Sequence, residues 1–326
     1  MQDKVIRFGV IGPGVIANKF ADAVSRCDDA IIGAVASRNP ERGAAFAAKY
    51  DIPTVHDTYE AILQDPNIDA IYVAVPHNWH AELAIAAMRN KKAVLCEKPC
   101  AINLAQAKQI IATAKEENVL FLEAMWTRFL PAMQKAHEWV KEGKIGDVHL
   151  LESSFAFSNN ASPENRLYNR ALAGGAMLDV GVYIIAFSLD FGQGALTKCS
   201  GMAQISDTGV DEMATLQMQF EDGTMALSSC GFVARTRPEA CIQGNKGCIK
   251  LPDFWQAPDA NLYNNDGEVV ETYHDDQPNG FYHEVKHFAA LWRAGAVESP
   301  RMPWSETIRM AEIYDGMLKE WGIAYE

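Results

Sequence analysis

The first third of the chain alternates short apolar runs with helix-like segments, and this alternation restricts the fold more than any other feature of the sequence. Four runs are β-branched or continuously apolar, as expected for parallel strands buried on both faces: 5–12, 30–37, 70–76 and 93–97. Helix-like segments lie between and after them, at 14–26, 40–50, 58–65, 80–90 and 104–118, and a further strand-like run follows at 119–124. This βαβα order predicts a Rossmann fold, a doubly wound parallel sheet.

The pattern changes after residue 125. Strand-like runs with hairpin turn residues, "EDGT" and "GNKG", follow at 149–157, 215–232 and 240–252. Helices are predicted at 131–142, 177–191, 281–294 and 304–321. We therefore expect an α/β protein with two domains. Residues 1–125 would form the dinucleotide-binding Rossmann domain, and 126–326 an α+β domain with an open, mainly antiparallel sheet for substrate binding and oligomerisation.

Composition and charge exclude several classes of protein. The 326 residues are 48% hydrophobic and 22% charged, as in an ordinary globular protein. A net charge of −13 argues against nucleic acid or anionic membranes as partners. We expect no apolar run of the roughly 18 to 20 residues that a membrane span requires, and no signal peptide. The seven cysteines are scattered and lack a C-x-x-C pair, so neither a disulfide framework nor a metal site is predicted, and a cytoplasmic location is expected.

The stretch "GVIGPGVIANKF" carries a glycine pattern for phosphate binding, Gly12-x-Gly14-x-x-Ala17. The glycines permit a tight turn and close approach of a pyrophosphate, and Val15 and Ile16 open a helix whose N–H groups can bind the phosphate. The pattern lies between a predicted strand and a predicted helix, which is the context that supports it. The sequence therefore predicts a dinucleotide site.

The end of the second strand, "VASRNPER", bears on the choice of cofactor. Sites that prefer NAD usually have an acidic residue there for the ribose hydroxyls. This chain has Ser37 and Arg38 instead, with Arg42 one turn later. A hydroxyl and a guanidinium fit a 2′-phosphate, so we predict NADP, with NAD as the alternative if Arg38 is merely solvated.

The fourth apolar run ends in "CEKP", which places Lys98 at the carboxyl end of a buried strand, where open α/β sheets bind ligands. The succession of GxGxxA, "VAVPHNWHAELA", "EKP" and "GGAMLDVGVY" resembles the Gfo/Idh/MocA family of nicotinamide-dependent oxidoreductases across nearly the whole chain. "EAMWTRFLPA", "GFYHEV", the C-terminal segment and a tyrosine where many members carry histidine resemble one branch in particular. That branch contains the dimeric dihydrodiol dehydrogenases and the NADP-dependent D-xylose dehydrogenases.

The resemblance implies a dehydrogenase that acts on CH–OH groups. It would transfer a hydride between the nicotinamide and a secondary alcohol or hemiacetal carbon of a sugar or trans-dihydrodiol. D-xylose, another aldose, 1,5-anhydrofructose and an aromatic trans-dihydrodiol all remain candidate substrates. The resemblance further implies a homodimer that associates through the second-domain sheet.

The resemblance also assigns roles to individual residues. Lys98 would lie beside the nicotinamide and the reacting carbon, and Asp179 and Tyr183 match the polar positions of a D-x-G-x-H/Y segment. Their spacing of four residues would place both on one face of a helix, about 6 Å apart at Cβ. The wall of the cofactor site would be formed by Val75, Pro76, Asn78, His80 and Glu97.

Alcohol oxidation needs a protein group that takes the hydroxyl proton, because the cofactor carries only the hydride. Lysine and tyrosine side chains have ordinary pKa values of about 10, so this role requires nearby positive charge such as that of an oxidised nicotinamide. We favour Tyr183 as the acid/base, with Lys98 polarising the oxygen and Asp179 orienting. The departure from histidine at position 183 leaves the choice between Tyr183 and Lys98 open.

Several side chains could line a substrate pocket, because the branch has matching aromatic positions there and an apolar wall suits a cyclic diol or a sugar face. For each aromatic residue the competing interpretation is core packing, and for the arginine it is a structural salt bridge. The candidates are Trp126, Arg128, Phe157 (or Phe155), Trp255 and Phe281.

Two other functions compete with the dehydrogenase. A dinucleotide-binding sensor without turnover would need no acid/base group, yet Lys98 and Tyr183 are both present. "HEVKH" is a literal zinc-hydrolase motif with His283 and His287 as ligands and Glu284 as base. Glu306 or Glu312 could be a third ligand, but this reading leaves the N-terminal pattern unexplained.

Overall fold

The computed structural model describes residues 4–159 and 162–325, and the chain divides into two compact units. The first comprises Met1–Trp126 and Pro278–Ile308, and the second comprises Thr127–Gln277 and Arg309–Glu326. The first boundary lies close to the expected division near residue 125. The segment Pro278–Ile308, which was expected in the second domain, belongs instead with the N-terminal residues.

The sheet of the first unit is six-stranded, in the order β3-β2-β1-β4-β5-β6, and all its strand pairs are parallel. The predicted doubly wound parallel sheet is confirmed. Strand β3 was not predicted, because three residues are too few to show a pattern. The order reverses at β1, so the carboxyl ends of β1 and β4 form the crevice where such sheets bind ligands. The strands are β1 (Ile6–Ile11), β2 (Ala30–Ala36), β3 (Thr54–His56), β4 (Ala70–Val73), β5 (Ala93–Glu97) and β6 (Phe121–Ala124).

Three helices of the first unit begin at a side chain that accepts a hydrogen bond from the first turn. Asn39, Thr58 and Asn103 do so for α2, α3 and α5. Helix α1 begins after Gly14, without a side-chain cap and without an acidic residue in its first turn. The helices are α1 (Val15–Ser25), α2 (Pro40–Lys49), α3 (Tyr59–Gln64), α4 (His80–Arg89) and α5 (Leu104–Glu117).

The helix α8 (Phe281–Ala294) belongs to the first unit, although the predicted division placed it in the second domain. Its Phe288 ring lies 5.5 Å from the ring of Phe8 on β1. Its Arg293 lies 2.7 Å from the carboxylate of Asp29, just before β2. These long-range contacts explain the assignment, and a pattern of local residues cannot reveal them.

The second unit contains an eight-stranded sheet in the order β14-β13-β12-β11-β7-β10-β9-β8. Among the described strands of this sheet, only β7 and β10 pair in parallel, so the predicted mainly antiparallel sheet is confirmed. The two predicted hairpins connect β9 to β10 and β11 to β12. The strands are β7 (Val148–Ala156), β8 (Leu196–Ile205), β9 (Asp211–Phe220), β10 (Met225–Gly231), β11 (Glu239–Gly244), β12 (Gly247–Pro252), β13 (Asp259–Asn264) and β14 (Val269–His274).

The described residues also form the α-helices α6 (Pro131–Lys141), α7 (Val182–Phe191) and α9 (Trp304–Glu320). The helical stretch Arg170–Phe191 is long and apolar enough to cross a membrane, with a mean hydropathy of 1.8, which corrects the expectation that no run approaches that length. However, 94% of its 18-residue apolar window is buried inside the protein, as in a core helix.

Candidate active site

The glycine-rich turn after β1 has the geometry that a pyrophosphate requires. Gly12 has a φ of +90°, and a Cβ there would lie 2.5 Å from the carbonyl oxygen of Ala74. A Cβ on Gly14 would meet no atom within 4 Å, so the space before α1 is open. Val15 at the start of α1 is 85% exposed, and Ile16 is half-buried. An uncapped helix N-terminus facing open space fits a phosphate group.

The residues after β2 offer a hydroxyl and two cations. Ser37 is buried, and its Oγ accepts a hydrogen bond from the Asn39 N–H at 3.1 Å. Arg38 and Arg42 are exposed. The Arg38 guanidinium lies 5.4 Å from the centre of the Trp79 ring. Sequence reasoning missed Trp79, although it stands between two predicted site residues in "HNWH".

The loop after β4 contains one polar atom that fits a cofactor directly. Asn78 is half-buried, and its Oδ1 is buried without a hydrogen-bond partner among the described residues. Buried oxygens of this kind normally accept a hydrogen bond, and a ribose hydroxyl or nicotinamide amide could donate one. Val75 and Pro76, on the same loop, are half-buried.

His80 joins two loops instead of reaching a ligand. Its Nδ1 lies 2.7 Å from the carbonyl oxygen of Pro99, and its Nε2 lies 2.8 Å from that of Val75. The side chain is 1% exposed. Burial lowers the pKa of His80, while the two carbonyl groups oppose that change. Both ring nitrogens face the backbone, so the predicted direct contact of His80 with the cofactor is replaced by support for the loops that carry Val75 and Lys98.

Lys98 stands half-buried beyond β5, next to a buried acidic group. Glu97 is buried and accepts a hydrogen bond from the hydroxyl of Tyr72 on β4. Burial raises the pKa of Glu97, and the Tyr72 hydrogen bond and the charge of Lys98 oppose the rise. The loop is held from β6 as well, because the carboxylate of Glu123 accepts the Cys100 N–H at 3.0 Å. Glu97 therefore supports Lys98 from inside the unit.

The "HEVKH" residues lie on α8, where Glu284 and His287 face the interior of the first unit. Glu284 is fully buried, its two oxygens lack a hydrogen-bond partner in the described chain, and burial and the charge of Glu97 raise its pKa well above the usual value. His287 Nε2 lies 2.8 Å from Ser299 Oγ, and burial lowers its pKa to about 4. Among residues 4–159 and 162–325, no group of three or more His, Cys, Asp or Glu side chains could hold a metal. Glu284 is thus enclosed in the first unit, and His287 has a serine as its partner.

In the second unit, Asp179 and Tyr183 lie on a helix whose start is irregular. Met177–Gly181 forms a π-helical turn, and α7 follows from Val182. The turn fits tightly, because a Cβ on Gly181 would lie 2.7 Å from the sulfur of Met177. The predicted helix is present, but a wider first turn alters the simple α-helical relation between positions 179 and 183. Such π turns occur frequently at functional sites.

Asp179 has a partner that sequence reasoning did not identify. It is 8% exposed, and its Oδ1 lies 2.8 Å from Nη1 of Arg166. The ion pair fixes one oxygen of the carboxylate and keeps negative charge close to the helix that carries Tyr183. Arg166 lies in an irregular segment, where no local pattern indicated its role.

Tyr183 belongs to an aromatic cluster that includes two predicted substrate residues. The Phe155 ring on β7 lies 5.6 Å from the Tyr183 ring and stacks on Trp255 at 5.0 Å with 12° between the planes. The Phe157 ring lies 6.4 Å from Phe155. Trp255 and Phe157 are half-buried. This aromatic cluster (Phe155, Phe157, Tyr183 and Trp255) places flat apolar surfaces next to a hydroxyl.

The other substrate candidates have structural roles. Phe281 is 1% exposed, and its ring packs at 4.6 Å against Trp126 within the first unit. Arg128 is 5% exposed; its Nη1 lies 3.2 Å from Asp190 and its Nη2 donates to the carbonyl of Ala186 at 3.1 Å. The salt-bridge interpretation of Arg128 is therefore the one that the structure supports, and Phe281 is a core residue. The contacts of both side chains come from residues distant in sequence.

Two family models match most of the chain. The model of an oxidoreductase family with an NAD-binding Rossmann fold matches residues 6–125. The model of the GFO/IDH/MocA C-terminal domain matches residues 133–250. The two matches cover the phosphate turn, Lys98, Asp179, Tyr183 and the first five strands of the second sheet.

Named relatives agree with these models over full length. The chain is 31% identical to trans-1,2-dihydrobenzene-1,2-diol dehydrogenase of Mus musculus over 329 residues, 98% of either chain. It is 25% identical to the 3-ketoreductase KijD10 of Actinomadura kijaniata, solved with NADP and TDP-benzene, with a TM-score of 0.87 over 97% of this chain and 98% of that one. An aldose-aldose oxidoreductase of Caulobacter crescentus, 21% identical, shares the fold with a TM-score of 0.88 over 98% of each chain. The chain therefore belongs to the GFO/IDH/MocA family of NAD(P)-binding oxidoreductases.

Proposed function

We propose that the protein is an NADP-preferring dehydrogenase that transfers a hydride between the nicotinamide and a secondary alcohol or hemiacetal carbon of a sugar or cyclic trans-dihydrodiol. The observation that carries the proposal is the aromatic cluster around Tyr183. It combines a hydroxyl that can exchange a proton with ring faces that suit a flat apolar substrate surface.

The cofactor half of the proposal depends on the first unit. Gly12, Gly14 and the start of α1 would hold the pyrophosphate, and Asn78 Oδ1 would accept a hydrogen bond from the ribose or the nicotinamide. Ser37, Arg38 and Arg42 would bind the 2′-phosphate, since no acidic side chain stands at the end of β2 to repel it. When bound, the cofactor supplies the hydride chemistry. The relative KijD10 was solved with NADP, which supports this choice.

The proton is handled by residues of this chain. Tyr183 would take the hydroxyl proton during oxidation and return it during reduction. Lys98 would polarise the same oxygen with its ammonium group. Asp179, held by Arg166 at 2.8 Å, would orient Tyr183 and balance the positive charge.

The substrate class follows from the aromatic cluster and from the relatives. The relatives from Mus musculus and Homo sapiens are trans-1,2-dihydrobenzene-1,2-diol dehydrogenases, and their names give a cyclic diol as the substrate. Phe155 and Trp255 stack nearly parallel, so they offer a planar edge beside Tyr183. A sugar ring presents a similar apolar face.

We also propose a homodimer in the cytoplasm. The large apolar side chains that β8 and β10 expose at one end of the second sheet suit a partner surface of the same kind: Met202, Ile205, Met225 and Leu227, between 42% and 77% exposed. A second copy of the chain would cover them. All seven cysteines are free thiols, which suits a reducing compartment.

The decisive experiment measures NADPH formation by the purified protein against D-xylose, other aldoses and trans-1,2-dihydrobenzene-1,2-diol, with NAD in parallel. Tyr183→Phe should lower kcat by about 10²- to 10⁴-fold, as expected for loss of a general acid/base. Tyr263→Phe on β13 removes a hydroxyl elsewhere in the same unit and should leave kcat unchanged. NADPH binding without turnover of any substrate would favour a dinucleotide sensor and overturn the dehydrogenase proposal.

A further inference from the structure

We propose that Asp211 is a positioning residue, whose buried carboxyl holds the first turn of the helical segment that carries Asp179 and Tyr183. The inference rests on the proposed function, because it assigns to Asp211 the placement of those two side chains. Asp211 begins β9 and lies 34 residues from the turn that it contacts.

The contact is a specific hydrogen bond. The Met177 N–H donates to Oδ2 of Asp211 at 2.6 Å, and Asp211 is completely buried. Met177 is the first residue of the π turn. N–H groups in the first turn of a helix have no acceptor within the helix, so an outside carboxyl that accepts one fixes where the helix begins. Asp179 follows two residues later and Tyr183 six residues later.

The backbone at Gly175 passes so close to this carboxyl that a side chain at that position would collide with it. Gly175 has a φ of +113°, and a Cβ there would lie 2.3 Å from Oδ1 of Asp211. The Gly175 N–H donates to the carbonyl of Leu167 at 2.8 Å, and the Tyr325 hydroxyl donates to the carbonyl of Gly174 at 2.5 Å. The turn is thus held by three separate parts of the second unit, and Asp211 is the part that contacts the first residue of the π turn.

The environment of the carboxyl argues against a role in stability alone. Oδ1 has no hydrogen-bond partner in the described part of the chain. Burial raises the pKa of Asp211 to about 7, and the N–H groups of Met177, Asp211 and Ala176 oppose the rise. An apolar side chain would avoid the cost of burying this group but could not accept the Met177 N–H. The carboxyl therefore serves to hold the π turn in place by accepting the Met177 N–H.

The experiment measures hydrogen exchange at single amides together with steady-state kinetics. In the wild-type protein the Met177 amide should exchange on the order of 100-fold more slowly than a free amide, although it opens a helix. Asp211→Asn replaces the carboxylate with a neutral amide oxygen, which is a weaker acceptor for the Met177 N–H, and should therefore speed exchange over residues 176–183. It should also lower kcat by about 10- to 100-fold, as misplacement of reacting groups does. The KM for NADP should not change. Asp207→Asn, the same chemical change at an exposed turn four residues earlier, should alter none of these values.

The possible results separate the two proposals. Fast exchange of the Met177 amide in the wild-type protein would show that Asp211 does not hold this amide. This result needs no variant, so the proposal can be tested even if Asp211→Asn folds poorly. Faster exchange in Asp211→Asn with an unchanged kcat overturns the positioning role. A wild-type protein without turnover contradicts the proposed function alone, and the exchange at Met177 still decides whether Asp211 anchors the turn.

Discussion

The guanidinium carbon of Arg38 lies 5.4 Å from the centre of the Trp79 ring. Arg38 follows β2 and Trp79 follows β4, the two strands that flank β1, so the contact joins loops on both sides of the phosphate turn. A cation over an indole face is attracted by about 0.5 to 1 kcal/mol at an exposed site. The contact orders the Arg38 side chain beside Ser37, where we place the 2′-phosphate.

Arg38→Ala should weaken NADPH binding by about 10- to 100-fold, the loss expected for one charge-assisted hydrogen bond to a phosphate. NADH lacks the 2′-phosphate, so its affinity should change little. Fluorescence titration with each reduced cofactor at one fixed ionic strength measures both dissociation constants.

Arg89→Ala is the matched control for this change, because Arg89 is an exposed arginine in the last turn of α4. It alters the net charge equally without altering the loop after β2. An equal loss of affinity for NADPH and NADH in Arg38→Ala would show that Arg38 does not read the 2′-phosphate.

Trp255→Ala should raise the KM for the substrate by about 3- to 10-fold, which corresponds to the loss of one aromatic contact. The KM for NADP should stay the same, since Trp255 belongs to the second unit and stacks on Phe155. Trp292→Ala, in the first unit, is the control. Steady-state kinetics with the substrate found in the panel measure both constants, and an unchanged substrate KM in Trp255→Ala would remove Trp255 from the site.

The sequence predicted the parts of the fold that have a strong local pattern. Strands β1, β2, β4 and β5 are apolar on both faces, and the limits of α8 agree with the predicted helix at both ends. Strands with weak patterns escaped prediction. β8 is exposed or half-exposed along its whole length, so it has no apolar face to detect.

The site was predictable only where its chemistry is local. The glycine turn and the D-x-G-x-Y segment can be recognised from neighbouring residues. In contrast, Arg128 joins Asp190, Met177 joins Asp211, and Trp79 joins Arg38 across long sequence separations. No local pattern encodes such contacts, and for this reason sequence reasoning could not choose between the substrate site and a salt bridge for Arg128, and it missed Asp211.

Glu284→Gln should change how stability depends on pH. The pKa of Glu284 is raised well above its usual value, so the folded protein keeps a proton that the unfolded chain loses above about pH 4.5. The free energy of unfolding therefore contains a component that falls by about 1.4 kcal/mol per pH unit as pH rises from that value towards the raised pKa of Glu284 in the folded protein. The variant lacks this component. Urea denaturation between pH 5.5 and 7.5 measures the two slopes.

Glu116→Gln serves as the control for Glu284→Gln, because Glu116 is an exposed carboxylate on α5. Its slope should equal that of the wild-type protein. If Glu284→Gln also retained the wild-type slope, Glu284 would be ionised in the folded protein and a partner for its carboxylate would have to exist.

Met202→Glu combined with Leu227→Glu should convert the proposed dimer into a monomer. Both side chains are exposed, by 77% and 48%, so the substitutions should not disturb the core, while buried like charges from two copies would oppose association. Sedimentation velocity should show the smaller species at the same protein concentration. Val270→Glu, on the edge strand at the other end of the sheet, replaces an apolar side chain that is 59% exposed and should leave the dimer intact. A wild-type monomer, or a double variant that still dimerises, would place the interface elsewhere or remove it.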